Sequence, residues 1–224
     1  MGFQNGWRGP DIVSDGLVLY LDAGSPNSYR PDFGTMWKDM SGNGYNGTLT
    51  NGTTFDNANG GTIVFDGVND YANTSLNIDA NPNTICSWCY PTAVTSNAGY
   101  GIVLTDNGGW DKGFEINNSL WQIHAGTNLT STGFTAIANI WQYGCLSYTN
   151  TSMNFYVNGA LVWSGGSPGG SAGSNVEIGR ANYQGGNGSR FFVGKIANVS
   201  IYNRELTASE VLQNYNAQKS RFGL

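Results

Sequence analysis

The chain has 224 residues, 39% hydrophobic and 13% aromatic, with only 11% charged side chains and a net charge of −5. So many Trp, Tyr and Phe residues exclude a disordered chain, and a chain this long buries enough surface to need no disulfide staples. The ten Lys and Arg are scattered, so there is no basic patch for nucleic acid or an anionic membrane surface, and no apolar run long enough to span a bilayer.

Met1 to Ser14 mixes Gly, Pro and Asn with isolated Phe3, Trp7 and Ile12. It reads as a docking arm, outside a domain that covers residues 15–224. It has no apolar core of a signal peptide, and the three cysteines are too few and odd in number for a disulfide framework. From Asp15 the texture becomes short apolar runs separated by turn residues. Strands are expected at 16–21, 62–65, 85–90, 101–104, 114–116, 120–124, 141–148, 153–157, 160–163, 176–178 and 192–202. Many short strands with turns between them indicate a sandwich or barrel. Asn158-Gly159 between two apolar runs is a hairpin signal, because both residues tolerate the positive φ of a type I′ turn. Gly165–Ser174 reads as a flexible loop within one domain. Thr207-Ala208-Ser209-Glu210 is a capping box that opens one helix over about 208–218, with Val211, Leu212 and Tyr215 as its apolar stripe.

Four segments carry a resemblance. They are Leu19–Asp22 with Trp37–Gly47, then Phe65–Tyr71, then Trp141–Tyr148 with Phe155–Gly159, and last Gly194–Thr207. In this order, over about Asp15 to Ala217, the chain resembles the concanavalin A-like, laminin-G-like domains. The resemblance implies an all-β, two-sheet antiparallel jelly-roll sandwich with one short C-terminal helix. The arm at Arg8–Gly16 and the tail Arg221–Leu224 look like structural proteins of tailed bacteriophages. That likeness implies a capsid decoration or appendage protein on the virion surface, associated with itself or with other virion proteins and facing host polysaccharide. The rival is a cellular carbohydrate-binding module or a glycan hydrolase.

The chemistry argues for binding without catalysis. The four Glu residues, Glu115, Glu177, Glu205 and Glu210, include no pair at i, i+2 on an expected strand, so no acid–nucleophile pair can be assembled. His124, the only histidine, is read as an ordinary strand residue. Cys86 and Cys89 are three apart on a strand, so they point to opposite faces and cannot share a metal. Relatives often hold calcium at a loop edge, and Asp39, Asn43, Asp66, Asn69 and Asp70 are the candidate ligands. The same residue types shape turns through side-chain to backbone hydrogen bonds, and that reading is preferred. A sugar platform needs an exposed aromatic among polar groups. Trp110, in Asp106–Gly113, and Tyr183, in Ala181–Asn187, are the candidates.

Overall fold

The computed structural model describes residues 11–78, 82–96, 99–105, 111–126, 128–167, 169, 175–181 and 190–224. Phe3 and Trp7 of the arm, and most of the Gly165–Ser174 connection, lie outside them. Numbered in chain order, the strands form two antiparallel sheets. The first runs β14 (Ala160–Gly165), β13 (Met153–Val157), β12 (Gln142–Tyr148), β7 (Asn83–Pro91), β18 (Val193–Tyr202), β5 (Thr62–Asp66) and β4 (Thr54–Asp56), with β1 (Leu17–Asp22) also paired to β18. The second runs β11 (Asn128–Thr135), β10 (Leu120–Gly126), β9 (Asp111–Asn117), β8 (Tyr100–Thr105), β15 (Asn175–Ile178), β6 (Tyr71–Asn77), β3 (Gly47–Thr50) and β2 (Met36–Trp37). A short ribbon, β16 (Arg180–Ala181) with β17 (Arg190–Phe191), lies beside the second sheet. Helix α1 (Ala208–Gln218) follows, and a 3-10 turn at Lys219–Phe222 ends the fold. This is the sandwich with one C-terminal helix that the sequence predicts.

Side-chain alternation explains which faces are dry. In β6, Ala72, Thr74 and Leu76 are buried while Asn73, Ser75 and Asn77 are exposed, so one face joins the core and the other meets solvent. Leu19, Ile63, Ile85, Phe114, Trp121 and Phe155 contribute to the core between the sheets. β12 is different, being buried along its whole length on both faces. The reason is a second cluster on the outward face of the first sheet, where Trp88, Trp141, Tyr143, Tyr202, Val211 and Phe222 pack together. The ring of Phe222 lies 4.3 Å from that of Trp88 and 4.4 Å from that of Trp141. Cys86 belongs to this outer cluster and Cys89 to the inner core, as the period-two argument requires. Cys86 and Cys145 face each other across β7 and β12, and all three thiols are free and buried.

The hairpin and the cap behave as expected. Asn158 and Gly159 take φ of 52° and 79° between β13 and β14. The Thr207 hydroxyl accepts from the Glu210 amide, and the Glu210 carboxylate accepts from the Thr207 amide at 2.8 Å. Leu212 of the expected stripe is 45% exposed, and Asn214 is buried in its place. The Asn214 carbonyl oxygen accepts from the Val13 amide at 2.8 Å, and its amide nitrogen donates to the Tyr202 hydroxyl at 3.0 Å. That hydroxyl in turn donates to the Val13 carbonyl at 3.0 Å. The Gln213 side chain donates to the Asp11 carbonyl. Residues 11–14, expected in the arm, thus dock on the chain's own helix, with Val13 buried and Ile12 half-buried between two anchored neighbours. The tail is fastened too: Arg221 donates to the Asp22 carboxylate at 2.7 Å, which also accepts from the Gly24 amide.

Candidate functional site

The helix covers the outward face of the first sheet, which leaves the outward face of the second for a ligand. Core residues Phe114, Ile116, Ile123, Val176 and Ile178 point inward from this sheet. Their neighbours Glu115, His124 and Glu177 therefore point outward. Part of this face is roofed by the β16–β17 ribbon. At Gly101 of β8 an added Cβ would come within 2.3 Å of the Ala181 amide nitrogen, so the two backbones touch.

Under that roof the charges are paired. Glu115 is fully buried, and its carboxylate lies 3.1 Å from the His124 Nε2 and 2.8 Å from an Arg190 Nη. Asn117 donates to it at 3.3 Å, and an added Cβ at Gly99 would sit 2.6 Å from the same carboxylate. Burial by itself pushes this carboxyl up, but the hydrogen bonds and charges of His124 and Arg190 outweigh burial and hold it below the usual range. Glu177 is clamped by two of the three guanidinium nitrogens of Arg180, with the Nε bond at 2.8 Å, and the guanidinium lies 3.7 Å over the Tyr71 ring. His124, expected from the sequence to be an ordinary strand residue, lies on β10 with its Nε2 beside the buried Glu115 carboxylate. The signal was present: the two-residue turn Asn118-Ser119 pairs Glu115 with Gln122, which places His124 diagonally next to Glu115.

Beyond the ribbon the face is open. A polar groove of about 390 Å³ is lined by Asn46, Thr48, Asn73, Ser75 and Asn175. Next to it, at the end of the sandwich where β6, β1 and β7 meet, lies a hollow of about 220 Å³. Asn43, Tyr45, Asn77, Asn83 and Asn203 line it, over an apolar floor of Val18, Leu76 and Ile78. None of these residues was singled out for sugar contact from the sequence. The usable clue is the Asn-Thr-Ser alternation of Tyr71–Asn77, which puts amides and hydroxyls on one face.

The expected ligand residues are distributed as follows. Trp110 and Tyr183 lie outside the described residues, in connections flanked by β8, β9, β16 and β17. Asp39 accepts five hydrogen bonds, from the amides of Tyr20, Ser41, Gly44 and Tyr45 and from the Ser41 hydroxyl, all between 2.8 and 3.1 Å. Asn43 donates to the Val18 carbonyl at 3.1 Å. Asp66 accepts from the Val68 amide, Asp70 accepts from the Asp66 amide, and the Asn69 carbonyl accepts from Asn51. Burial pushes the Asp70 carboxyl up. The two acidic turns sit at opposite ends of β3, since Trp37 pairs with Gly47 and Thr50 with Tyr71. Among the described residues no three His, Cys, Asp or Glu side chains gather as a metal site. No helix among them is long and apolar enough to cross a membrane.

Residues 65–212 match the family model of the concanavalin A-like lectin/glucanases superfamily. No curated protein matches the chain in sequence. Among solved structures, domain 4 of the GH43 extracellular arabinanase AbnA from Geobacillus stearothermophilus, in complex with arabinotriose, is similar with a TM-score of 0.68 and 16% identity, over 93% of this chain and all of that one. The receptor-binding domain of botulinum neurotoxin C/D mosaic serotype aligns at 0.70 and 16% identity, over 92% of this chain and 52% of that one. Trypanosoma rangeli sialidase in complex with sialic acid aligns at 0.67 and 18% identity, over 92% of this chain and 33% of that one. At these identities the likeness is one of fold.

Proposed function

The chain belongs to the concanavalin A-like lectin/glucanases superfamily, and on that premise we propose that it is a carbohydrate-binding domain that does not cleave its ligand. The observation that carries the reading is the division of the second sheet's outward face. Its carboxylates, Glu115 and Glu177, are locked to arginines under a backbone roof, while its amides and hydroxyls line an open groove. A glycosidase needs two carboxyls facing one sugar ring, one of them held protonated. Glu115 is held ionised instead, which suits a structural ion pair. Amides and hydroxyls offer both donors and acceptors to sugar hydroxyls. The AbnA domain, matched along its whole length, was solved with arabinotriose, which lends weight to a glycan ligand here.

Binding to an immobilised polysaccharide panel, read by affinity electrophoresis, tests the proposal. Retardation by at least one glycan with no release of reducing ends is expected. Reducing-end release that Glu115→Gln or Glu177→Gln abolishes would overturn it. Display on a phage particle, with docking to itself or to other virion proteins, is the finer reading. Its support is the sequence likeness of Arg8–Gly16 and Arg221–Leu224, and mass spectrometry of purified particles tests it.

A further inference from the structure

We infer that the groove and the end hollow are two subsites of one site, and that the ligand is a neutral, linear oligosaccharide laid along β6. The inference rests on the carbohydrate-binding reading and adds the ligand's class, its length and its path.

Three observations carry it. First, the two depressions are consecutive along one strand: Asn73 and Ser75 line the groove, and Leu76 and Asn77 line the hollow. Second, a single loop separates them. Asn43 and Tyr45 face the hollow while Gly44 and Asn46 face the groove, so residues 43–46 form a saddle with one side in each subsite. The five hydrogen bonds to Asp39 and the Asn46 side chain's acceptance from the Asp39 amide at 2.9 Å hold that saddle in place. A preformed rigid wall lowers the ordering cost of binding. Third, the chemistry is one-sided. Among the described lining residues there is no Lys or Arg, the groups that pair with a carboxylate or sulfate sugar. The chain's net charge of −5 also repels an anion.

Size sets the length. The hollow, at about 220 Å³, falls below the roughly 300–1,000 Å³ of pockets for drug-sized ligands, so it takes one ring. Its apolar floor and half-buried Tyr45 suit the carbon face of a pyranose or furanose, and the amides around it suit the hydroxyl rim. The groove takes the next units of the same chain. A ring in the hollow alone binds at about the millimolar level, and the second subsite adds its contacts without a second loss of translational freedom.

The test uses isothermal titration of the full chain with arabino-, xylo-, manno-, cello- and maltohexaose, their monosaccharides, and a galacturonate hexamer. At least one neutral hexaose should bind about 10-fold or more tightly than its monosaccharide. Asn73→Ala in the groove and Asn203→Ala in the hollow should each weaken that hexaose about 3- to 10-fold, the loss expected for one hydrogen bond. Both positions are exposed, and unchanged melting temperatures confirm that folding is intact. Three results would overturn the inference while leaving carbohydrate binding standing: tighter binding of the galacturonate hexamer, equal affinity for monosaccharide and hexaose, or sensitivity to only one of the two variants. Binding of no sugar by the folded protein would instead remove the carbohydrate reading itself.

Discussion

Replacing Asn214 by Ala should destabilise the fold far more than an ordinary helix substitution. Two hydrogen bonds vanish, one from the Val13 amide and one to the Tyr202 hydroxyl, each worth about 0.5–1.5 kcal/mol. The Val13 amide is then left buried without a partner, at about 1–3 kcal/mol, while the higher helix propensity of Ala returns only about 0.5 kcal/mol. The net cost is about 2–3 kcal/mol, or a fall in Tm of about 4–12 °C for a domain of this size. Urea titration with an unchanged slope is the assay, supported by hydrogen exchange at Val13, which should accelerate by the same free energy. Tyr202→Phe removes one corner of the same triangle, so the double variant should cost less than the sum of the two singles. A loss below about 0.5 kcal/mol, typical of surface sites, or strict additivity would refute the triangle as the fastening of residues 11–14.

Thr207→Ala should cost about 1 kcal/mol through the helix cap, by denaturant titration. The Arg204 guanidinium and the Thr207 groups hold the Glu210 carboxyl at about 2, below its ordinary 4.5. A depressed acid stabilises fully above its unfolded value and loses that contribution as pH falls from about 4.5 towards 2, so Glu210→Gln should flatten the stability profile in that window. Asp39→Ala should cost about 2–4 kcal/mol by releasing five donors, and the loss should be equal in millimolar calcium and in chelator if the carboxylate serves the turn and not an ion. Cys86, Cys89 and Cys145 should resist a thiol reagent in the native protein and react together on unfolding, since all are fully buried and burial pushes the Cys89 and Cys145 thiols up.

The legible parts of the fold were those where local pattern and tertiary environment agree. β18 and β12 are apolar runs in the core of a sheet, and Asn158-Gly159 and Thr207–Glu210 carry their geometry in two and four residues. Among the strands not expected from the sequence, β3, β6 and β11 are rich in Thr, Asn and Ser, because one face of each is not part of the apolar core. In β3 and β6 the same polarity supplies Thr48, Asn73 and Ser75 to the proposed binding groove. Asn214 is not in the expected apolar stripe, and the Val13 amide that it binds is 201 positions away in sequence. The pairing of Glu115 with Arg190 likewise spans 75 positions, and only the folded register brings them together.

Fastening residues 11–14 and the Lys219–Phe222 turn on the helix side has a practical consequence for orientation. Both chain ends, as far as they are described, leave the sandwich from the layer opposite the polar groove. Whatever is attached there, whether a tag, a bead or a neighbouring polypeptide, presents the groove away from its own surface. A sensor chip coupled through the C-terminal end should therefore hold every molecule with its open sheet towards the flowing solution.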